Sequence, residues 1–227
     1  MIYALLWDND GVLVDSERIF FETTRRVFGA AGLDLSPGLW AARYLGEGLR
    51  SRHIARLLGA PQELAERLVE RRNRLFRRRL ELPVPVLPGV RQVFERWHPG
   101  CRMAVVTGSP RRQFDLIHRH TGLLPYLDCV VTADDCERVK PDPAAYLAAL
   151  DRLGIGPEHA LAVEDSPRGL ASATAAGIRC VVIRTPLTHL EACAAAHAVL
   201  EHPGELDWIL RDNGAARARS GESCSNR

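Results

Sequence analysis

The second half of the chain alternates short apolar runs with segments of helical periodicity, and this alternation restricts the fold more than any other feature of the sequence. The apolar runs cover residues 103–106, 129–131, 160–163 and 180–183, and the helical segments between them cover residues 110–120, 143–153 and 167–176. Short apolar runs separated by helices indicate βαβ units, whose strands are buried on both faces of a parallel sheet. Residues 3–7 form a further run of this kind. We therefore predict an α/β fold with a Rossmann-like parallel sheet.

Residues 16–83 carry a different pattern, because no strand signal interrupts their helical periodicity. Helices are predicted at residues 16–31, 40–44, 50–58 and 61–80, with candidate N-caps at Ser16 and Ser36. Pro83, Pro85 and Pro88 then indicate a stiff linker. The sequence thus predicts an all-α cap domain at residues 16–83. It is inserted into a core domain formed by residues 1–15 and 84–213, and residues 214–227 are expected to be a disordered tail.

The composition of the 227 residues argues against several classes of protein. The chain is 46% hydrophobic and 26% charged, and its net charge of +2 gives no general reason to expect a nucleic-acid partner. No apolar run approaches the ~20 residues that span a bilayer, and the apolar N-terminus is too short for a signal peptide. We therefore expect a cytoplasmic protein without a nucleic-acid or membrane partner, acting as a monomer or weak dimer.

Polar side chains follow the predicted strands at the points where these strands end. The residues concerned are Asp8, Asn9, Asp10 and Gly11 after the first strand, Thr107, Gly108 and Ser109 after the second, and Glu164, Asp165 and Ser166 after the strand at 160–163. Lys140 lies in a loop between the last two groups. Ligands bind at the carboxyl ends of strands in such sheets. We therefore expect these side chains to converge on one edge.

These runs resemble the four motifs of the haloacid dehalogenase (HAD) superfamily. Residues 7–16, which read WDNDGVLVDS, resemble the first motif, and residues 106–109 (VTGS) resemble the second. Residues 140–143 (KPDP) resemble the third, and residues 163–169 (VEDSPRG) followed by 175–177 (AAG) resemble the fourth. The helical insert directly after the first motif is similar to the cap of the β-phosphoglucomutase and phosphoglycolate phosphatase branch.

The resemblance implies a role for each residue of these motifs. Asp8 would be the nucleophile that forms an aspartyl-phosphate, and Asp10 would act as general acid and base. Mg²⁺ would be held by Asp8, the backbone carbonyl of Asp10, Glu164 and Asp165. Thr107, Gly108, Ser109 and Lys140 would hold the transferring oxygens. Asn9 points the other way along the strand and is interpreted as structural.

Electrostatics explains why this chemistry needs both a metal and the lysine. A carboxylate that approaches a phosphate dianion is repelled, by roughly 4 kcal/mol for two unit charges about 4 Å apart at an effective dielectric near 20. Asp8 brings −1, the phosphoryl group about −2, and Glu164 with Asp165 up to −2 more. Mg²⁺ and Lys140 together return +3, so they make the approach of the nucleophile feasible.

The insert is where substrate selection is expected, because a cap closes over the core and excludes water. Arg50 follows the Gly46-Glu47-Gly48 loop, and Arg72 lies in the basic run of the last predicted cap helix. We select these two arginines as candidate substrate contacts. The alternative for most of the basic run is a solvated helix face. Asp15, Ser16 and Asp142 are interpreted as helix-capping residues.

Three functions remain open from the sequence. The first is a Mg²⁺-dependent phosphatase acting on a small phosphorylated metabolite, such as a sugar phosphate or phosphoglycolate. The second is a sugar phosphomutase of the β-phosphoglucomutase type, which Phe20 disfavours because that enzyme has a proton-transferring His at the corresponding position. The third is a catalytically silent binding protein, which the set of Asp8, Asp10, Thr107, Lys140 and Asp165 argues against.

Overall fold

Within residues 1–188 and 190–212, which the computed structural model describes, the central element is a six-stranded sheet with every neighbouring pair parallel. The strands are β1 (Ala4–Trp7), β2 (Arg102–Val106), β3 (Cys129–Val131), β4 (Ala160–Glu164), β5 (Arg179–Ile183) and β6 (Ala198–Leu200), in the spatial order β3-β2-β1-β4-β5-β6. The helices are α1 (Ser16–Gly29), α2 (Pro37–Trp40), α3 (Ser51–Leu57), α4 (Gln62–Leu80), α5 (Val90–Trp97), α6 (Arg111–His118), α7 (Ala144–Leu153), α8 (Pro167–Ala175) and α9 (Leu206–Asp212). The predicted parallel α/β architecture is confirmed.

Strand β1 illustrates why short apolar runs form this sheet. Leu5 and Trp7 pack into one hydrophobic cluster, while Ala4 and Leu6 pack into a second cluster on the opposite face. All four residues are 0% exposed. Because successive side chains of a strand point to opposite faces, a strand covered on both sides needs apolar residues throughout.

The strand order reverses at β1, which lies between β2 and β4. Trp7 is in register with Val105 of β2 and Val163 of β4. The residues that follow these three strands therefore lie level at one edge of the sheet. A crevice for ligands is expected at such a switch point.

The helices α1 to α4 form a layer with its own hydrophobic cluster, built around Phe28, Trp40, Ile54 and Leu68. Leu187, from the loop after β5, joins this cluster, so the sheet-bearing part contributes a side chain to it. A π-helical turn, Ala41–Gly46, follows α2 where the sequence predicts an α-helix at residues 40–44.

The chain passes between the sheet and the helical layer twice, and the two passages pair with each other. The amide of Asp15 donates to the carbonyl of Pro85 at 3.0 Å, and the amide of Leu87 donates to the carbonyl of Leu13 at 2.9 Å. The predicted boundaries of the insert, at residues 16 and 83, fall beside this pairing. The division of the chain into core and cap domains stays a prediction.

Three elements were not anticipated from the sequence, namely α5, β6 and α9. Helix α5 begins directly after Gly89, which adopts φ +85°. Its residues Val90, Val93, Phe94 and Trp97 are buried at helical spacing, and the interpretation of the preceding prolines as a linker overlooked this signal. Strand β6 has only three residues at the edge of the sheet, which is too short for a clear period. The predicted disordered tail, residues 214–227, lies outside the described residues.

Across the described ranges, no helix combines the length and apolarity that crossing a bilayer requires.

Candidate active site

Lys140 occupies the centre of the polar cluster at the carboxyl edge of the sheet, and it is the only lysine in the chain. Its Nζ donates to Asp8 Oδ1 at 2.6 Å, to Glu164 Oε1 at 2.6 Å and to the carbonyl of Val106 at 2.8 Å. The three ammonium protons therefore have three acceptors, on three different strands or strand ends. Lys140 holds the ends of β1, β2 and β4 at one point.

Asp8, Glu164 and Asp165 each offer a carboxylate oxygen, and these oxygens lie within 4.8 Å of one another. Asp165 Oδ2 is buried without a hydrogen-bond partner among the described residues. Gly11, at φ +92°, passes so close that a Cβ there would lie 2.2 Å from this oxygen. An uncompensated buried carboxylate oxygen beside two further acids fits a hard divalent cation such as Mg²⁺, which prefers oxygen ligands.

Glu164 has a different environment from the other two acids of this group. It is 0% exposed, and its Oε1 accepts from Tyr146 Oη at 2.7 Å as well as from Lys140. Gly169 makes room for the carboxylate, since a Cβ at that position would lie 1.9 Å from Glu164 Oε2. One oxygen of Glu164 is thus engaged by protein donors. Any metal contact of this residue falls to Oε2, which accepts a long bond of 3.4 Å from Ser166 Oγ.

The pKa values of Asp8 and Asp165 reflect burial and repulsion between neighbouring carboxylates. Burial raises the pKa of Asp8 to about 7, although Lys140 opposes the shift. Burial also raises the pKa of Asp165 well above its usual range, and the neighbouring Asp8 carboxylate adds to the increase. For Lys140, burial lowers the pKa, but Asp8 and Glu164 outweigh burial and the pKa is raised. A cation placed among these acids would favour their ionised forms.

Asp10 is held by three hydroxyl groups from two segments of the chain. Its Oδ1 accepts from Ser16 Oγ at 2.5 Å, and its Oδ2 accepts from Ser109 Oγ at 2.8 Å and from Thr107 Oγ1 at 3.3 Å. Gln113 Nε2 donates to Ser109 Oγ at 2.8 Å and so supports the same chain. The structure therefore corrects the interpretation of Ser16 as a helix cap, because its hydroxyl is directed to Asp10.

The cluster opens into a cleft of about 460 Å³ between the sheet edge and the helical layer. The sheet edge contributes the polar wall, which includes Asp8, Asp10, Thr107, Gly108, Ser109, Lys140 and Asp165. The helical layer contributes mainly an apolar wall, made by Phe20, Tyr44, Leu45, Leu49 and Phe76. Residues far apart in the sequence are thus brought together as the motif spacing predicts.

The two arginines selected from the sequence lie in different environments. Arg50 is exposed and lines the cleft. Arg72 is only 4% exposed, and its Nη1 donates to Thr24 Oγ1 at 2.9 Å and to Ser51 Oγ at 3.1 Å. Its guanidinium carbon lies 4.0 Å from the centroid of the Phe20 ring. Arg72 therefore packs behind the aromatic wall, outside the cleft lining.

Two charged residues of the cleft lining were not singled out as site residues from the sequence. Glu17 accepts a 2.9 Å bond from Trp40 Nε1, and burial raises its pKa to about 8. Arg168 donates from Nη2 to the carbonyl of Lys140 and lies against Gly48, where a Cβ would be 2.9 Å from its Cζ. The signal for Arg168 was its position within the fourth motif, in the first turn of a helix that begins at the ligand edge of the sheet.

The interpretation of Asp142 agrees with its contacts in the structure. Its Oδ1 accepts from the amide of Ala144 at 2.9 Å, at the start of α7, and its Oδ2 pairs with Arg138 at 3.0 Å. Asp15 occupies the N-cap position of α1 without a side-chain capping bond, and its carboxylate pairs with Arg18 instead.

The chain is similar to known proteins in sequence and in fold. A family model described as haloacid dehalogenase-like hydrolase matches residues 2–177. A phosphorylated carbohydrates phosphatase of Thermotoga maritima is 33% identical over 217 residues, which are 92% of this chain and 98% of that protein. A fructose-1-phosphate phosphatase of Escherichia coli is 31% identical, covering 80% of this chain and 96% of its own length. The crystal structure of CbbY from Rhodobacter sphaeroides in complex with phosphate superposes with a TM-score of 0.70 at 27% identity, covering 91% of this chain and 96% of that chain.

Proposed function

The chain belongs to the haloacid dehalogenase-like hydrolases, and from this premise we propose that it is a magnesium-dependent phosphatase that hydrolyses a small phosphorylated metabolite. The observation that carries the proposal is the arrangement around Lys140, which bonds the Asp8 carboxylate, while Asp165 Oδ2 has no hydrogen-bond partner within the described ranges. The arrangement offers a carboxylate nucleophile, a cation beside it and an unpartnered hard-oxygen ligand, and these groups suit phosphoryl transfer through an acyl phosphate.

In the first step, Asp8 attacks phosphorus and the bond from phosphorus to the ester oxygen breaks. One oxygen of Asp8 accepts from Lys140, so the nucleophile has a fixed direction before substrate arrives. Asp10, in its protonated form, gives its proton to the departing ester oxygen, which leaves as an alcohol. The product on the protein is an aspartyl-phosphate at Asp8.

In the second step, a water molecule attacks phosphorus and Asp10, now a carboxylate, takes the proton from that water. The bond between phosphorus and the Asp8 oxygen breaks, which releases inorganic phosphate and restores the carboxylate. The bonds from Ser16, Ser109 and Thr107 to Asp10 support this assignment, because they fix the position of its carboxyl group in the cleft lining.

The transferring oxygens would be held by Thr107, the amide of Gly108, Ser109 and Lys140, all of which line the cleft. Asp8, the carbonyl of Asp10, Asp165 and Glu164 would hold Mg²⁺. When bound, Mg²⁺ supplies positive charge that offsets repulsion between the carboxylates and the phosphoryl group. The three carboxylates of this group are hard oxygen donors, which favour Mg²⁺ over zinc.

The substrate is proposed to be a sugar phosphate or a phosphoglycolate-like compound. The cleft has room for a molecule of this size, and its aromatic wall, with Phe20 and Tyr44, suits the apolar face of a sugar ring. Arg50 lines the cleft where it can meet an anionic or hydroxylated end of the substrate. The relatives named for phosphorylated carbohydrates and fructose 1-phosphate support this class.

Hydrolysis is preferred to the phosphomutase reaction because of the surroundings of Phe20. Its ring carries no transferable proton and packs between Arg72 and the aromatic rings of Trp40, Tyr44 and Phe76. Since the resemblance assigns the proton-relay histidine of the mutase to the position of Phe20, this inert ring supports hydrolysis.

The test is phosphate release from a panel of phosphorylated sugars and carboxylic acids, with Mg²⁺ and with a chelator. We expect Mg²⁺-dependent turnover that Asp8→Asn abolishes, while the exposed Asp151→Asn on α7 retains it. Failure of every compound to release phosphate would refute the proposal. Exchange between sugar phosphate isomers without net phosphate release would instead favour the mutase.

The expected cytoplasmic location and the monomeric or weakly dimeric state belong to the same proposal. Cell fractionation tests the location, and size-exclusion chromatography tests the oligomeric state.

A further inference from the structure

A buried polar pair lies beneath the loop that carries the nucleophile. Asn9 is 0% exposed and His118 is 1% exposed, and Asn9 Oδ1 lies 2.7 Å from His118 Nε2. The two residues are 109 positions apart in the chain. Asn9 stands between Asp8 and Asp10, and its side chain is directed to α6 while theirs line the cleft. The pair therefore joins the segment at residues 8–14, which we call the catalytic loop, to helix α6 on the side away from the cleft.

The contacts of the imidazole define which nitrogen carries the proton. His118 Nδ1 lies 2.9 Å from Thr121 Oγ1, so both ring nitrogens have partners. Burial lowers the pKa of His118 to about 4, and the ring is therefore neutral at physiological pH. Because Asn9 Oδ1 can only accept, the proton of the neutral ring is on Nε2, and Nδ1 then accepts from the Thr121 hydroxyl, whose one proton is thereby taken from the longer 3.3 Å contact with the carbonyl of His118.

Stability alone does not account for this pair. Asn9 Nδ2 is buried and has no hydrogen-bond partner among the described residues. A buried amide donor without an acceptor destabilises the fold, whereas an apolar side chain of similar size would not. A hydrogen-bonded pair with one orphaned amide donor thus carries a cost that two apolar side chains at positions 9 and 118 would avoid, and the bond between Asn9 Oδ1 and His118 Nε2 is the interaction that offers a compensating role.

Helix α6 is fastened to the catalytic loop at two places. Near its start, Gln113 donates to Ser109 Oγ, which in turn donates to Asp10 Oδ2. At its end, His118 meets Asn9. The loop itself is closed by the carbonyl of Asn9, which accepts from the amides at residues 12–14. The residue that closes the loop is therefore the residue that α6 holds.

We propose that Asn9 and His118 are a positioning pair, which fixes the direction of Asp8 and Asp10 relative to the phosphate-holding turn at residues 107–109. The inference rests on the proposed phosphatase function, and it adds two residues that touch neither substrate nor metal. Small displacements of reacting groups by distant changes lower turnover strongly, so the pair acts on kcat rather than on substrate binding.

A double-mutant cycle separates positioning from stability. Asn9→Leu and His118→Leu each leave one buried polar partner unpaired, so each is expected to lower Tm by about 3–10 °C and kcat by about 10- to 100-fold, with KM changed less than about 3-fold. The double variant removes both partners and is expected to regain most of the lost Tm. Its kcat is expected to stay low, because the loop is still detached from α6.

Two further variants serve as controls. His118→Gln keeps a donor near the position of Nε2 and is expected to regain at least part of kcat. His120→Phe changes an exposed histidine just beyond α6 and is expected to leave Tm and kcat unchanged. If the double variant recovers kcat together with Tm, the pair has only a structural role and the proposal is overturned.

A second measurement keeps this outcome distinct from failure of the phosphatase function. If the wild-type chain releases no phosphate from any compound, the proposed function fails, and Mg²⁺ affinity by calorimetry becomes the readout for the pair. The double variant is then expected to bind Mg²⁺ at least about 10-fold more weakly than the wild type. Equal Mg²⁺ affinity at equal Tm would overturn the positioning role independently of substrate.

Discussion

The two walls of the cleft are constructed in different ways. The wall from the sheet edge consists of buried charges whose hydrogen bonds are nearly all made within the protein, as Lys140 illustrates with three acceptors. The opposite wall, from α1 to α4, presents aromatic and aliphatic side chains together with the exposed guanidinium of Arg50. A rigid charged wall suits one reaction, whereas an apolar wall with few fixed polar groups can be adapted to different substrates. The difference indicates that chemistry resides in the sheet edge and selection in the helical layer.

The largest effect expected from this comparison is at Lys140. Lys140→Met removes the cation between Asp8 and Glu164, and we expect kcat/KM to fall by about 100- to 1,000-fold or more. Lys140→Arg retains the charge, but a planar guanidinium does not fit three acceptors arranged around one nitrogen, so little activity should return. Steady-state kinetics measures both. Activity near the wild-type level in either variant would show that the sheet edge tolerates substitution. The proposed difference between the two walls of the cleft would then be wrong.

Two glycines at positive φ allow a matched test of the two walls. Gly11 (φ +92°) faces Asp165, and Gly48 (φ +71°) faces Arg168. Alanine at either position should lower the free energy of unfolding by about 1–3 kcal/mol, because the backbone conformation is unfavourable for a residue with Cβ. Gly11→Ala should also lower kcat about 10- to 100-fold and weaken Mg²⁺ binding, whereas Gly48→Ala should act mainly on KM.

Gly32→Ala provides the control for backbone strain in this series. Gly32 adopts φ +76°, and a Cβ added there would have no atom of the described residues within 4 Å. Its substitution should cost stability without changing kcat or KM. Chemical denaturation and steady-state kinetics on the three variants give the comparison, and equal losses of kcat in Gly11→Ala and Gly48→Ala would contradict it.

Substitution of the two arginines of the helical layer, Arg50 and Arg72, should affect different properties of the protein. Arg50→Gln is expected to raise KM by about 10-fold at unchanged Tm, since the side chain is exposed in the cleft. Arg72→Gln is expected to lower the free energy of unfolding by about 2–4 kcal/mol, since it leaves Thr24 and Ser51 without their buried donor. Thermal denaturation and initial-rate measurements distinguish them. If Arg72→Gln changes KM without loss of stability, Arg72 contacts the substrate and its assignment as a buried structural residue is wrong.

The last effect expected concerns stability and not activity, as a change in pH dependence at Glu17. Burial raises its pKa from 4.5 to about 8, so the folded protein holds this proton more tightly than the unfolded chain. The resulting stability is fully present below pH 4.5 and is lost as the pH rises through 8. Glu17→Gln removes this dependence while keeping an acceptor for Trp40. The wild type should therefore lose stability relative to the variant between about pH 5 and 8, and parallel denaturation curves across this range would contradict the assignment.

Much of the sheet edge could be predicted from the sequence because its residues are tied to strand ends. A strand such as β1 is recognisable from Leu5 and its neighbours, and the register of the sheet then places Asp8 beside the residues that follow β4. The helical layer was less predictable. The position of Arg72 depends on which face of α4 packs on Phe20, and helical period alone does not decide between a buried and an exposed basic residue. The bond from the Ser16 hydroxyl to Asp10 was not predictable for a similar reason. Local sequence signals indicate where a helix starts, but they do not identify a side chain's hydrogen-bond partner in another segment.

The presence of one lysine in the whole chain has a practical meaning for chemical labelling. Among the side chains of this sequence, reagents that acylate primary amines have one target, Lys140. Because Lys140 is 8% exposed and held by two carboxylates, it is protected from such reagents in the closed cleft. An acyl group found on the lysine therefore reports that the cleft has opened.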